Sequence, residues 1–251
     1  MKPVYLLITP HEYQGAEIIL RGAPYHHFVR VRHLKVGTPL RAALPDGRTL
    51  HAEISAITPD ALHAHITGEE TLTGISPCRI TLYQAVLKGE KMDLIIQKAT
   101  ELGTSIFVPL MARNSIPRWT PAQALERTAR WQRIADAATE QCERSLPMRV
   151  EVPLTSMSLG VLPSPTLLLH EREGENLPAM ALRLPDVHEV GLLLGPEGGW
   201  DDGEVRAFRA AGAIPIHLGR RVLRAETASI VAITLAQYLW GDLGGTSLEG
   251  E

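Results

Sequence analysis

The chain is short of cysteine, of net charge and of long apolar runs, and each shortage removes a class of protein. Its two cysteines, Cys78 and Cys142, stand sixty-four positions apart with no CxxC partner and no His pair beside them. Neither a disulfide framework nor a structural zinc site is expected, which suits a reducing cytoplasm. His51, His63 and His65 sit at alternating positions of two strand patterns with no Cys or carboxylate at ligand spacing beside them, so no metal is expected there either. The net charge of -3 and pI near 6.4 do not describe a protein that coats nucleic acid indiscriminately, so any RNA contact must be local. The longest uncharged apolar run, Thr227 to Trp240, has fourteen residues, fewer than the roughly twenty that span a bilayer. MKPVYLLITPHEY holds one Lys and too short an apolar stretch for a signal peptide. A soluble protein with no membrane partner is expected. GxxxxGK[ST] and GxGxxG are both missing, which leaves a phosphate-cradling or dinucleotide site without support.

With 45% hydrophobic residues over 251 positions, one or two cores can be buried. Residues 1–72 read as a small β module: strands at Val4–Ile8, Thr38–Leu44, Thr49–Ile57 and Leu62–Thr67 are separated by turns such as Pro45-Asp46-Gly47, and LHAEISAI alternates with a period of two. Residues 68–77 have the composition of a linker. From there strand and helix patterns alternate: Ile80–Leu87, a helix over 90–102, Ile106–Leu110, a helix over 121–143, then Leu167–His170. Between the last two, Glu151 to Pro165 reads as a surface connection. This alternation predicts an α/β domain over 73–251 with a parallel sheet covered on both faces.

Two apolar runs that end in glycine turns and open helices close the chain. VGLLLGPEGGW spans Val190 to Trp200, and IPIHLGRRVLRAETA spans Ile214 to Ala228. As β-α units in succession they suggest neighbouring parallel strands, whose C-terminal ends collect ligands. Gly195, Gly198, Gly199 and Gly219 let backbone groups approach a ligand with no Cβ between. Asp201 or Asp202 caps the next helix, and Glu204 completes an Asp-x-x-Glu box from Asp201. A single glycine pair is ordinarily just a tight turn; two such turns in tandem point to a binding site.

A second stretch, Arg21 to Arg41, carries Arg21, Arg30, Arg32, Lys35 and Arg41 with no Asp or Glu. Tyr25 and Phe28 are interleaved. Cationic groups grip phosphates and an aromatic face stacks on a base, so this is either an RNA footprint or a solvated face. In LKGEKMDLIIQKATELG, Leu87 to Gly103, an apolar stripe of Met92, Ile95, Ile96, Ala99 and Leu102 at helical spacing leaves Lys88, Lys91 and Lys98 polar. Lys88 and Lys91, between a strand end and a helix start, are candidate phosphate contacts.

LLLGPEGGW followed by LGRRVLRAETA resembles the C-terminal signature of the RsmE family of ribosomal RNA methyltransferases, of the SPOUT class. KGEKMDLIIQKATELG is similar to that family's KGxKMDxIIQKATELG run, and HHFVRVRHLKVG to the His-x-x-Arg-Val-Leu-Arg-x-x-x-Gly segment of its PUA-like N-terminal domain, matching at His27, Arg30, Val31 and Gly37. Arg32 stands where the family has Leu and His33 where it has Arg; Asn114 is inserted between Arg113 and Ser115, and Glu143 stands where Gly is usual. The resemblance covers nearly the whole chain, most specifically 87–103 and 190–243.

It implies a PUA-like β-barrel followed by a SPOUT domain whose C-terminal segment is tied in a trefoil knot, although true knots are almost absent from proteins. It further implies a homodimer that methylates N3 of a uridine in 16S ribosomal RNA, with S-adenosyl-L-methionine as cofactor. That cofactor would rest on Leu169 and His170, on Leu194, Gly195, Pro196, Glu197, Gly198 and Gly199, and on Leu218, Gly219, Leu223, Arg224 and Ala225. Arg21, Arg30, Arg32, Lys35, Lys88 and Lys91 would face RNA. Uracil N3 must lose its proton as charge spreads to the ring oxygens, and Arg224, protonated at any working pH, suits donation to one of them. The base could be Glu226, Glu197 or water; Glu226 could equally hold Arg224 in a bidentate pair. A same-fold enzyme acting on tRNA, or a non-catalytic RNA-binding protein, are the rival readings, and the second leaves both glycine turns unexplained.

Overall fold

The computed structural model describes residues 2–71, 75–171 and 173–243. Contacts divide the chain into two compact units, Met1–Ile75 with Thr139–Pro147, and Ser76–Ala138 with Met148–Glu251.

In the first unit, strands β1 (Val4–Leu7), β2 (Tyr13–Gln14), β3 (Glu17–Arg21), β4 (Pro39–Ala43), β5 (Arg48–Ile57) and β6 (Ala61–Thr71) form one sheet in the order β1-β4-β5-β6-β3-β2. Only β1 and β4 pair in parallel; the other pairings are antiparallel. The period-two pattern sends Leu40, Leu50, Ile54, Leu62 and Ala64 into one core with Leu6, Ile18 and Leu20. Strand β6 runs four residues into the expected linker, because Arg48 and Arg41 anchor it: Arg48 lies 3.6 Å from Glu69 and Arg41 2.5 Å from Glu70. Positions 72–74 of that linker lie outside the described residues.

Between β3 and β4 the sequence pattern missed a short helix, α1 (Gly22–Tyr25), continued by a π-helical turn over His26–Val31. This corrects the role of the aromatics. Tyr25 and Phe28, three apart on one helical face, are buried in the core, and the Tyr25 hydroxyl donates to the Thr58 carbonyl at 2.8 Å. They offer no face to a base.

Glu143, at the place where Gly is usual in the resembling family, has φ 59. A left-handed non-glycine residue costs roughly 1–2 kcal/mol. Here the carboxylate meets Lys2 at 2.7 Å and Arg41 at 3.2 Å, contacts a glycine could not make.

The second unit is built on β7 (Arg79–Ala85), β8 (Thr104–Met111), β9 (Arg149–Val150), β10 (Leu154–Thr155), β11 (Thr166–Leu169), β12 (Glu175–Asn176), β13 (Glu189–Leu194) and β14 (Ile214–His217). All pairings are parallel, in the order β10-β8-β7-β13-β11-β14-β12 with β9 also on β8. The helices are α2 (Lys91–Glu101), α3 (Pro121–Cys142), α4 (Leu177–Arg183), α5 (Asp202–Ala210) and α6 (Ala225–Trp240).

Alternation along the strands explains the two-sided covering. Leu82, Leu192 and Leu194 pack with Ile95 and Ile96 of α2, Trp131 of α3 and Ile233 of α6; Tyr83, Leu193 and Leu168 pack on the other side with Phe208 of α5. Each buried Leu contributes roughly 2–3 kcal/mol. The stretch 151–165, expected as a plain connection, contains β10 and a 3-10 turn at Ser156–Ser158. No helix among the described residues is long and apolar enough to cross a membrane.

One expectation of order fails in a useful way. Strands β13 and β14 are not neighbours: β11 lies between them, paired to both, with Leu168 opposite Leu193 on one side and Pro215 on the other. Both edges of β11 are therefore satisfied by strands that follow it in sequence, a long-range pairing that local pattern cannot reveal.

Candidate active site

The three strands β13, β11 and β14 end side by side, and the loops leaving them enclose a cavity of about 570 Å3. Every residue assigned from sequence to cofactor binding lines it: Leu169 and His170 after β11, Leu194 to Gly199 after β13, and Leu218, Gly219, Leu223, Arg224 and Ala225 between β14 and α6. Lys91, Glu171, Trp200, Arg221, Val222 and Ala228 join them, and sequence reasoning had not placed these in the pocket. Trp200 ends the GPEGGW motif, so its place in the sequence was a usable signal.

The first loop is held from several directions. Asp201 caps α5 through the Gly203 amide at 2.9 Å, and Glu204 returns a bond to the Asp201 amide at 3.0 Å, closing the expected capping box. Glu204 is fully buried, and it also accepts from the Arg113 amide at 3.0 Å and from the Ser156 hydroxyl. Asn114 donates to the Gly199 carbonyl at 3.1 Å and to that of Gly198 at 3.4 Å. The Arg113 guanidinium reaches Asp201 at 3.2 Å. Asn114 thus supplies a side-chain amide that fixes the glycine turn, a role that only the fold discloses.

Glycine matters most at two positions. A Cβ on Gly195 would stand 3.2 Å from Nε1 of Trp200, whose ring is itself braced edge-to-face on Phe208 at 4.9 Å. Gly219 has φ 106, a conformation closed to ordinary side chains. Its amide donates to Nδ1 of His217 at 3.1 Å, shaping the start of the second loop.

Of the two roles open to Glu226, base or partner of Arg224, the second finds no ion pair among the described residues. Among the described residues its ion-pair partner is Lys91, 3.5 Å away, and it makes no pair with Arg224. Arg224 is the N-cap of α6 and Glu226 the second residue of that helix, and side chains two apart on a helix do not face each other. Lys91, expected to meet phosphate, instead places its ammonium 3.0 Å from Glu197 as well.

Burial raises the Glu197 carboxyl, but the hydrogen bond from Lys91 and the backbone bonds outweigh it and hold the group below its ordinary 4.5. The bond to Glu197 in turn raises the Lys91 ammonium above 10.5. A depressed acid contributes stability above its unfolded value and loses it as pH falls through the folded one; a raised base does so below its unfolded value and loses it as pH rises. The contribution of the pair is therefore fully present between the ordinary values of 4.5 and 10.5, and is lost as pH falls below the first through the folded value of Glu197 or rises above the second through that of Lys91.

Of the residues assigned to RNA, Arg30, Arg32 and Lys35 are exposed on or just after the π-helical turn. Arg32 lies over the Phe28 ring at 5.7 Å, and Arg21, at the end of β3, pairs with Asp60 at 2.8 Å. Lys88 is exposed, with its amide 3.4 Å from Glu197. Among the described residues no group of three His, Cys, Asp or Glu side chains could hold a metal ion.

A family model described as an RNA methyltransferase domain matches residues 75–237, which contain all three strand ends and both loops. A ribosomal RNA small subunit methyltransferase E from Synechocystis is 31% identical over 91% of this chain and 75% of its own length. The chain belongs to the RsmE family of RNA methyltransferases. Two solved structures superpose over nearly the full length. The ribosomal RNA small subunit methyltransferase E of Neisseria gonorrhoeae, bound to S-adenosyl methionine, has a TM-score of 0.85 at 28% identity, covering 96% of this chain and 99% of that one. A methyltransferase of Legionella pneumophila in complex with SAM gives 0.86 at 27% identity, covering 97% and 100%.

Proposed function

We propose that this protein transfers the methyl group of S-adenosylmethionine to N3 of a uridine in 16S ribosomal RNA, in the cytoplasm. One observation carries the reading: the two family motifs, which leave strands that are not neighbours in the sheet, line one cavity at the ends of three parallel strands. Its volume lies in the range of small-molecule sites. Trp200 adds a fitting detail, because its Nε1-H is buried against the pocket with no acceptor among the described residues. The relatives that bind this cofactor are similar over their whole length.

When bound, the sulfonium supplies an activated methyl group, so no metal is needed to make the electrophile. Gly195 and Gly219 would let backbone groups approach the nucleoside, and Leu194, Leu218 and Leu223, which line the cavity, would give it apolar walls. Arg224 donates to the ring oxygen on which charge gathers. Glu197 and Glu226 both face Lys91, so water is the proton acceptor in this reading. Arg30, Lys35 and Lys88, exposed and without ion pairs among the described residues, hold phosphates; Arg21 and Arg32 add to them by leaving Asp60 and Phe28. Lys91 is reassigned from RNA to the loops.

The proposal divides the chain at 72/73 into a PUA-like RNA-binding domain and a SPOUT domain. It gives the SPOUT domain a trefoil knot, supported by the course of α6, which leaves β14 yet packs on α2, β13 and β7; an experimental chain trace through 190–240 checks it. It also makes the protein a homodimer. Tyr238 of α6 and Leu94 of α2 are exposed on helices that pack together, and a monomer mass by light scattering at micromolar concentration overturns that part.

The test of function is nucleoside mass spectrometry of small-subunit RNA incubated with the protein and S-adenosylmethionine. One added methyl on a single uridine, at N3, is expected; unmodified RNA, or methylation of tRNA alone, overturns the reading. In the same system, Arg30→Gln with Lys35→Gln and Lys88→Gln should flatten the salt dependence of RNA affinity by about 0.7 in log-log slope per lost phosphate contact.

A further inference from the structure

The two glycine loops leave strands that are not neighbours in the sheet, and one side chain touches acidic groups attached to both. Lys91 is the first residue of α2, where a cation opposes the helix dipole at a cost of roughly 0.3–1 kcal/mol. The helix itself therefore gives no reason for a lysine there. Its surroundings do. The Lys91 ammonium is 3.0 Å from Oε1 of Glu197, in the loop after β13, and 3.5 Å from Oε2 of Glu226, in the first turn of α6, directly after the loop that follows β14. That Oε2 is buried and accepts no hydrogen bond among the described residues. The Glu226 side chain is 14% exposed. A carboxylate so placed needs a nearby positive charge, and among the described residues Lys91 is the cation within ion-pair range of it. An ammonium with three donors on a flexible stem can serve two carboxylates that lie in different directions, which a planar guanidinium does less readily.

We propose that Lys91 is a positioning residue that clamps the two loops of the cavity to each other, through Glu197 on one side and Glu226 on the other. The proposal rests on the reading of this cavity as the S-adenosylmethionine site. Tying both loops to the head of α2 sets the width of the slot between them and orders it before a ligand arrives, which lowers the entropic cost of binding. Neither carboxylate is then free to take a proton from substrate, in keeping with water as the acceptor.

Hydrogen exchange of the cofactor-free protein reads the clamp directly. In Lys91→Gln the amides of Gly198 to Trp200 and of Gly219 to Leu223 should both exchange several-fold faster, while those of β7 and β13 keep their protection. Calorimetric affinity for S-adenosylmethionine should fall about tenfold, equivalent to roughly 1.4 kcal/mol. Lys91→Arg, which keeps the charge, should recover part of both effects. Adding Glu197→Gln and Glu226→Gln to Lys91→Gln should weaken binding little further, because the three groups act as one unit. Unchanged exchange in both loops overturns the clamp, and so does loosening of the first loop alone, which would make Lys91 a partner of Glu197 only. If wild-type protein binds no S-adenosylmethionine, the proposed function fails, while the exchange measurement still decides the clamp.

Discussion

Arg224→Lys should lower single-turnover methyl transfer on the order of 10²–10³-fold at saturating cofactor and RNA, the loss typical of one donor to a developing oxyanion. Arg224 lines the cavity at the N-cap of α6, with extended backbone at φ -62 and ψ 151, and spends no side-chain bond on capping the helix. Its guanidinium is thus available to substrate. Glu226 does not restrain it, being engaged with Lys91. Lysine retains the charge but loses the planar fork, so a steep fall means that the shape of the donor matters and charge alone does not. S-adenosylmethionine affinity, measured separately by calorimetry, should change far less. A rate within threefold of wild type would remove Arg224 from the chemistry.

Gly219→Val and Gly195→Val are the second pair with a large expected effect. Each should weaken S-adenosylmethionine binding on the order of 10²-fold or more, a loss of at least roughly 2.7 kcal/mol. The causes differ. At Gly219, φ 106 excludes a β-branched residue, so the second loop must rearrange. At Gly195 the backbone is permissive, but the new Cβ would lie 3.2 Å from Trp200 Nε1 and 3.3 Å from its Cδ1. Phe208 behind the indole blocks retreat, so the added methyls crowd the pocket. Both sites are at strand ends, and thermal unfolding should remain cooperative with a modest change in midpoint. If both variants bind like wild type, the cofactor site is elsewhere.

These residues show how far a sequence can be read. Asp201 and Glu204 spelled a capping box three residues apart, and the box forms, because both partners lie within one helical turn. The stripe Met92, Ile95, Ile96 and Ala99 faces the core for the same reason. Tyr25 and Phe28 were misjudged. Their spacing fits either a buried face or an exposed one, and only the sheet beneath α1 decides between them.

What the sequence determined by itself was local: the alternating strand and helix patterns, the caps, the two glycine turns and the family signature they form together. Tertiary structure alone decided which of these meet. It inserted β11 between β13 and β14, aimed Asn114 at the carbonyls of Gly198 and Gly199, and set Lys91 between Glu197 and Glu226, partners 106 and 135 positions away along the chain. The physical reason is range. Backbone preference and capping act over a few residues, whereas strand order and a shared counter-charge arise only after a sheet has brought distant segments within a few ångströms of each other.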